Sequence, residues 1–345
     1  MFEKGLTFDD VFLVPGYNGI RSRQDVSTET RMGDHSFKIP VMSSNMDTIT
    51  GVQMAKTMAD LGGVGILHRF CSIEENLKMY QEASEAERPV AVSLGVNEGL
   101  ERLEALESAG CQMFCIDVAH GHSKLVNKMI KSIRSRYGSN LVVIAGNVAT
   151  YAGADYLAAA GADAIKVGIG PGSVCSTRMK TGFGVPQLTA LLDCRRVDRA
   201  LIADGGIRRP GDAVKALAAG ADFVMCGGFF AGTEETPGEV VEKRDDKGKA
   251  RKVKLFRGMA SREAQEDFMG QMSDWKTAEG VQVEVPFRGS VKEKVADLMG
   301  GIRSGLTYCG AEDLSALQRK ANFMEVSPAG RLEGEPHALL SLKEE

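Results

Sequence analysis

Eight short, uninterrupted apolar runs recur along this chain, and no other feature restricts its fold as strongly. They fall at 39–43 (IPVMS), 63–67 (GVGIL), 90–94 (VAVSL), 112–117 (QMFCID), 141–145 (LVVIA), 163–168 (DAIKVG), 200–204 (ALIAD) and 222–227 (DFVMCG). A strand with one wet face alternates polar and apolar residues; continuous hydrophobicity suits strands of a parallel sheet covered on both faces. Amphipathic stretches such as 98–109 and 210–219 lie between the runs, each ending near a glycine able to cap a helix. The phrase AGAD closes a helix and opens a strand at both 160–163 and 219–222, so a local turn is reused. Eight strand–helix units predict a closed (β/α)8 barrel, with a doubly wound open sheet as the competitor. The chemically informative residues favour the barrel, because they fall just after the runs: Asn45 to Thr48, His68, Arg69, Asp117 to His122, Gly146, Asn147, Gly168 to Thr177, Asp204 to Gly206, Gly227 and Gly228.

The pattern breaks after the eighth run. Residues 233–256 are charged, with a turn at Asp245-Asp246-Lys247-Gly248, and predict an exposed hairpin. Residues 258–285 are polar and weakly periodic, which predicts a mobile lid over the barrel mouth. The last barrel helix is expected from about Ser290, and an irregular tail from about Arg319. The whole chain, 1–345, is thus expected to form a single barrel domain with a hairpin and flap insertion at 233–288.

Composition narrows the function classes. An apolar content of 43% with 26% charged residues is that of a globular chain with a large core. A net charge of −4, with no long basic run, argues against a nucleic-acid surface. No apolar stretch reaches membrane-span length, and the N-terminus MFEKGLTFDDVFLVP lacks the apolar core of a signal peptide, so a cytoplasmic protein is expected. Seven scattered cysteines make no disulfide framework, and Cys111 and Cys115 are expected as buried thiols, not zinc ligands.

The segment 168–187, GIGPGSVCSTRMKTGFGVPQ, carries the strongest chemical signal. Its glycines and proline place a tight loop directly after a buried strand and leave main-chain polar groups open to a ligand. A cysteine at the crest, Cys175, followed by Ser176, Thr177 and Arg178, is where an accessible, reactive thiolate is expected; an inert thiol in a structural turn is the alternative. Glycine loops after the next two strands, Asp204-Gly205-Gly206-Ile207 and Gly227-Gly228, suit a phosphate site built from main-chain N–H groups. Asp204 can accept from ribose hydroxyls, or merely cap the following helix.

Taken together, GIGPGSVCSTR, IADGGI, MCGG, FRGMAS, SSNMDT and LTFDDVFLVP resemble the IMP dehydrogenase/GMP reductase family, from about residue 5 to about 312. The resemblance implies that Cys175 forms a thioimidate with C2 of a purine nucleotide while a hydride passes between C2 and a nicotinamide. It implies a nucleotide cradle of Asp204, Gly205, Gly206, Gly227, Gly228, Gly258, Met259 and Ala260. It implies a monovalent cation, K+, on carbonyls of Gly170, Gly172, Cys175 and Arg178, and a homotetramer in which Ser22, Arg23 and residues near Ser304 reach a neighbour's site.

Within the family, a dehydrogenase activates water with an Arg-Tyr pair in the flap, and usually carries a regulatory insert of paired small domains. The stretch MGQMSDWKTAEGVQVEVPFRG has no such pair and is similar to the reductase branch, and the spacing between the second and third runs leaves no room for the insert. The activity so implied is NADPH-dependent deamination of GMP to IMP and ammonia, with Cys175, Thr177 and Glu279 catalytic. The implied cofactor contacts are Ser22, Arg23, Arg69, Asp117, Val118, Ala119, Ile169, Gly170, Trp275, Lys276, Ser304, Gly305, Leu306 and Thr307. An IMP dehydrogenase without the regulatory insert and a non-catalytic purine-nucleotide sensor stand as the alternatives. Three places depart from the reductase pattern: His120 and His122, Ala260 in place of a serine, and Gly305-Leu306 within 304–307.

Overall fold

The eight apolar runs become eight parallel strands hydrogen-bonded in a ring, as seen in a computed structural model describing residues 3–85, 88–244, 248–271, 273 and 275–336. The strands are β1 (Val41–Ser43), β2 (Val64–Leu67), β3 (Val90–Leu94), β4 (Met113–Asp117), β5 (Val142–Val148), β6 (Ala164–Val167), β7 (Ala200–Asp204) and β8 (Phe223–Cys226). Closure is direct: Ile202 of β7 pairs with Phe223 of β8, and Cys226 of β8 pairs with Ser43 of β1. The outer ring consists of α1 (Val52–Asp60), α2 (Ile73–Ala83), α3 (Glu101–Ser108), α4 (Lys124–Tyr137), α5 (Tyr151–Ala160), α6 (Gln187–Cys194), α7 (Pro210–Ala218) and α8 (Val291–Cys309). This is the (β/α)8 fold.

Two apolar layers explain the continuous runs. Residues such as Val92, Phe114, Val143, Ile165 and Val224 face outward onto the helices. Their neighbours Ala91, Met113, Ile144, Ala164, Phe223 and Met225 fill the barrel interior. A hairpin, Thr30–Met32 with His35–Phe37, closes the amino end of the barrel by adding Met32 and Phe37 to that interior core. The rings of Phe37 and Phe223 meet edge-to-face at 5.4 Å. Side-chain caps start many of the helices, such as Ser72 at α2, Ser123 at α4, Thr150 at α5 and Ser290 at α8, each accepting from a first-turn N–H.

The insertion after β8 holds more regular structure than the sequence predicts. β9 (Val241–Arg244) and β10 (Ala250–Arg257) form the expected antiparallel hairpin, and residues 245–247 of its anticipated turn lie outside the described residues. A third strand, β11 (Gln282–Pro286), pairs with β10, and a helix, Arg262–Met269, precedes it. Both lie in or at the edge of the weakly periodic stretch expected to form a mobile lid, for which no helix or strand was anticipated. Their exposure explains why: β11 has no buried residue and so shows no core-facing period. Up to residue 336 the tail likewise holds regular structure, with a helix at Leu314–Lys320, a strand Phe323–Glu325 paired with Val11–Leu13, and a helix at Pro328–Glu333. No helix among the described residues is long and apolar enough to cross a membrane.

Candidate active site

The loop after β6 carries Cys175, which of the seven cysteines is the exposed one. Its thiol lies 3.2 Å from Thr177 Oγ1, in hydrogen-bond contact, and its N–H donates to the Gly172 carbonyl at 3.1 Å. Cys111 and Cys115 are the buried thiols expected, and burial pushes both up to about 12, far from reactivity at neutral pH.

The flap returns directly onto this loop. Ser176 N–H donates to the Glu279 carbonyl at 2.9 Å, and Val281 N–H donates to the Val174 carbonyl at 3.0 Å, so Cys175 and Gly280 stand opposite each other as antiparallel neighbours. Glu279 N–H donates in turn to the Ala260 carbonyl at 3.0 Å. Ala260 thus contributes its main chain, which the missing serine hydroxyl does not affect. A Cβ on Gly280 would stand 2.9 Å from Ser261 N, so the three segments meet at distances only glycine allows. Beneath them Val174, Phe256, Ile49 and Ala231 form a small buried cluster that ties β10 to the cysteine loop.

Across the mouth a cavity of about 1050 Å³ opens at the carboxyl ends of the strands. Its wall brings together Cys175, Thr177, Glu279, the whole expected nucleotide set from Asp204 to Ala260, and Arg69, Asp117, Val118, Ala119, Ile169, Gly170, Trp275 and Lys276. Gly205 and Gly206, at φ +94° and +84°, turn the chain sharply off β7 in a conformation that side chains resist. Asp204 does not cap the following helix, whose N-cap is Arg209. Its Oδ2 instead accepts from Asn147 Nδ2 and Lys166 Nζ, both at 2.9 Å. Lys166 also donates to Asp117 Oδ1 at 2.7 Å. Burial acts to raise the Asp117 carboxyl, but the ammonium of Lys166 outweighs it and holds the group below the usual carboxylate range.

Six of the expected cofactor contacts, and Arg178 of the expected cation ligands, lie outside this cavity. Ser22 and Arg23 are exposed on the loop that runs along the carboxyl end of α8, where Gly16 N–H donates to the Tyr308 carbonyl. Ser304 and Thr307 stand half-buried on the same helix end. Leu306 and Gly305 face the protein. Leu306 is fully buried in the core, and a Cβ on Gly305 would come within 2.4 Å of Val214 Cγ1, so this glycine lets α8 close on α7. The two histidines, His120 and His122, are exposed and stay outside the cavity wall.

Sequence reasoning missed Lys166, the side chain of Asn147, and Arg288, all of which line the cavity. A lone lysine in an otherwise apolar strand was the available signal for the first. Two buried atoms on the wall, Arg69 Nε and Asn147 Oδ1, have no hydrogen-bond partner within the chain, which marks where a ligand's polar groups fit.

A closed parallel barrel that presents an exposed thiol among glycine loops at its carboxyl end has the architecture of a nucleotide-handling enzyme. The IMP dehydrogenase / GMP reductase domain matches residues 5–337. GMP reductase 1 of Mus musculus is 39% identical over 334 residues, covering 93% of this chain and 95% of that protein. Among solved structures, IMP dehydrogenase from Legionella pneumophila is 56% identical with a TM-score of 0.84, over 95% of this chain and all of that one. GMP reductase from Trypanosoma brucei, in complex with guanosine 5'-monophosphate, is 30% identical with a TM-score of 0.91 over 98% of each. The chain belongs to the IMP dehydrogenase/GMP reductase family, a family of oxidoreductases of purine metabolism.

Proposed function

We propose that the protein reduces GMP to IMP and ammonia at the expense of NADPH. The observation that carries this reading is the seating of Glu279 against the cysteine loop through the Ser176–Glu279 main-chain bond. Overall, GMP, NADPH and two protons give IMP, NADP+ and ammonium. The Cys175 thiol gives its proton through Thr177 Oγ1 to Glu279, and the thiolate adds to C2 of the purine to form a tetrahedral adduct. Thr177 and Glu279 deliver a proton to the 2-amino group of that tetrahedral adduct, and the group leaves as ammonia to give the thioimidate. NADPH, when bound, supplies the hydride that C2 takes up, and the C–S bond then breaks to return the thiolate. The glycine pairs after β7 and β8, with Gly258 and Met259, hold the phosphate and base edge, Asp204 accepts from the ribose, and Arg288 adds a cation at the rim.

The wall suits the nicotinamide cofactor. Arg69 has a buried Nε without a partner, Asp117 keeps its charge, and Trp275 with Lys276 offers an aromatic face and a cation 5.2 Å apart. Ser22, Arg23, Ser304 and Thr307 serve a neighbour's site in a homotetramer, which accounts for their lying together outside this cavity. The cysteine loop also suits K+. Among the described residues the carbonyls of Gly170 and Cys175 accept no main-chain hydrogen bond, and those of Gly172 and Arg178 accept one each. A cation there would fix the loop that carries the thiol.

Oxidation of IMP with NAD is the second reading, favoured by the 56% identity to the Legionella structure of that name. A product assay separates the two. GMP with NADPH should give IMP, ammonia and loss of the reduced-nicotinamide absorbance, and IMP with NAD should give little XMP. Sustained XMP formation without NADPH consumption by GMP would reverse the assignment.

A further inference from the structure

Lys166 stands in β6 beside Ala164, Ile165 and Val167, and is only 3% exposed. A buried lysine needs countercharge, and this one takes it from two strands at once: Asp117 at the end of β4 and Asp204 at the end of β7. Two carboxylates therefore share one ammonium, and the trio carries a net charge of −1. Among the described residues no hydrogen bond within the chain engages Asp204 Oδ1, and both acids line the cavity.

We propose that Lys166 is a positioning residue that couples the nucleotide subsite at Asp204 to the nicotinamide subsite at Asp117, so that each ligand raises the affinity of the other. Its ammonium is engaged by the two acids, through which it acts. A ribose donor on Asp204 offsets part of that acid's charge and fixes the ammonium between the pair. Asp117 then meets the second ligand already oriented, so less ordering remains to be done. Linkage makes the effect reciprocal. The inference rests on the subsite assignments above, and its test is arranged to separate the two.

Binding is measured by calorimetry in a Cys175→Ala background, where no covalent chemistry intervenes, with GMP and NADP+ and again with IMP and NAD+. Nucleotide should tighten cofactor binding by about five-fold or more. Adding Lys166→Met should reduce that gain to within about two-fold, and Lys166→Arg should restore part of it. Should Lys166→Met fail to fold, the charge-balanced pair Lys166→Met with Asp117→Asn takes its place with the same expectation. A pH profile gives the readout that a purely structural role would leave unmoved. The groups facing the trio are Arg69, beyond β2, and the thiols of Cys115 on β4 and Cys226 on β8, both raised by burial and neutral near pH 7. The ammonium of Lys166 is what holds the Asp117 carboxyl down, so losing it should move the acid limb of cofactor binding to higher pH. Coupling unchanged in a folded variant, or no coupling in the parent, overturns the proposal. A negative GMP–NADPH product assay would instead redirect the reading of the reaction and leave this thermodynamic result standing.

Discussion

Cys175 and Glu279 make separable contributions, and each has its own expected signature. Cys175→Ala should abolish turnover to below about one per cent while GMP binding stays within a few fold, because main-chain contacts carry the ground-state affinity. Glu279→Gln should slow ammonia release by roughly 10² to 10⁴ and spare binding, as removal of a general acid does. A rapid-quench measurement of ammonia against GMP titration distinguishes the two. The cysteine loop was readable in the sequence because its glycines, thiol and hydroxyls are contiguous. Lys166 and the pairing of Asn147 were not, since their partners Asp117 and Asp204 lie 49 and 57 positions away. A single polar residue in a strand does not announce what it meets across the barrel wall. Burial of the Leu306 side chain was not legible either, because a family position says nothing of which face of α8 it occupies.

Among the elements, the flap and the N-terminal segment respond to different variables. Trp275 is 81% exposed on the cavity rim. Its fluorescence should change when NADP+ and nucleotide are added together, and an indifferent signal would remove it from the cofactor surface. At the N-terminus, Arg208 hydrogen-bonds Asp9 and Thr7 hydrogen-bonds Asp10, holding both carboxyls below the usual range. Groups depressed on folding stabilise fully above their unfolded pKa of about 3.9, and that contribution is lost as pH falls through the lower folded values. The strand Val11–Leu13 should therefore fray below about pH 4, read as lost exchange protection at the Val14 amide, which donates to Asn322. The barrel strands were legible because burial on both faces leaves an unbroken apolar run. The helices Leu314–Lys320, Pro328–Glu333 and Arg262–Met269 were not, because elements of six to eight residues are too short to show a period.

For the molecule as a whole, the contacts placed outside the cavity make a prediction about assembly. Ser22 and Arg23 should act in trans, so Cys175→Ala and Arg23→Ala protomers, each weak alone, should complement when co-assembled. In an equal random mixture roughly a quarter of sites would combine an intact thiol with an intact neighbouring arginine. No recovery on mixing would remove the trans assignment. Closure of the barrel was inferable from the count of runs, whereas the pairing of Val11–Leu13 with Phe323–Glu325 joins segments over 300 positions apart and leaves no local trace.

The main-chain stitching of residues 279–281 to the cysteine loop has an evolutionary corollary. On the proposed roles, proton delivery is fastened to the nucleophile, while Trp275 and Lys276 sit on the stretch before it. Drift in that stretch can retune which dinucleotide is accepted without disturbing the bond-breaking chemistry, so cofactor preference and reaction type are free to diverge along separate lineages.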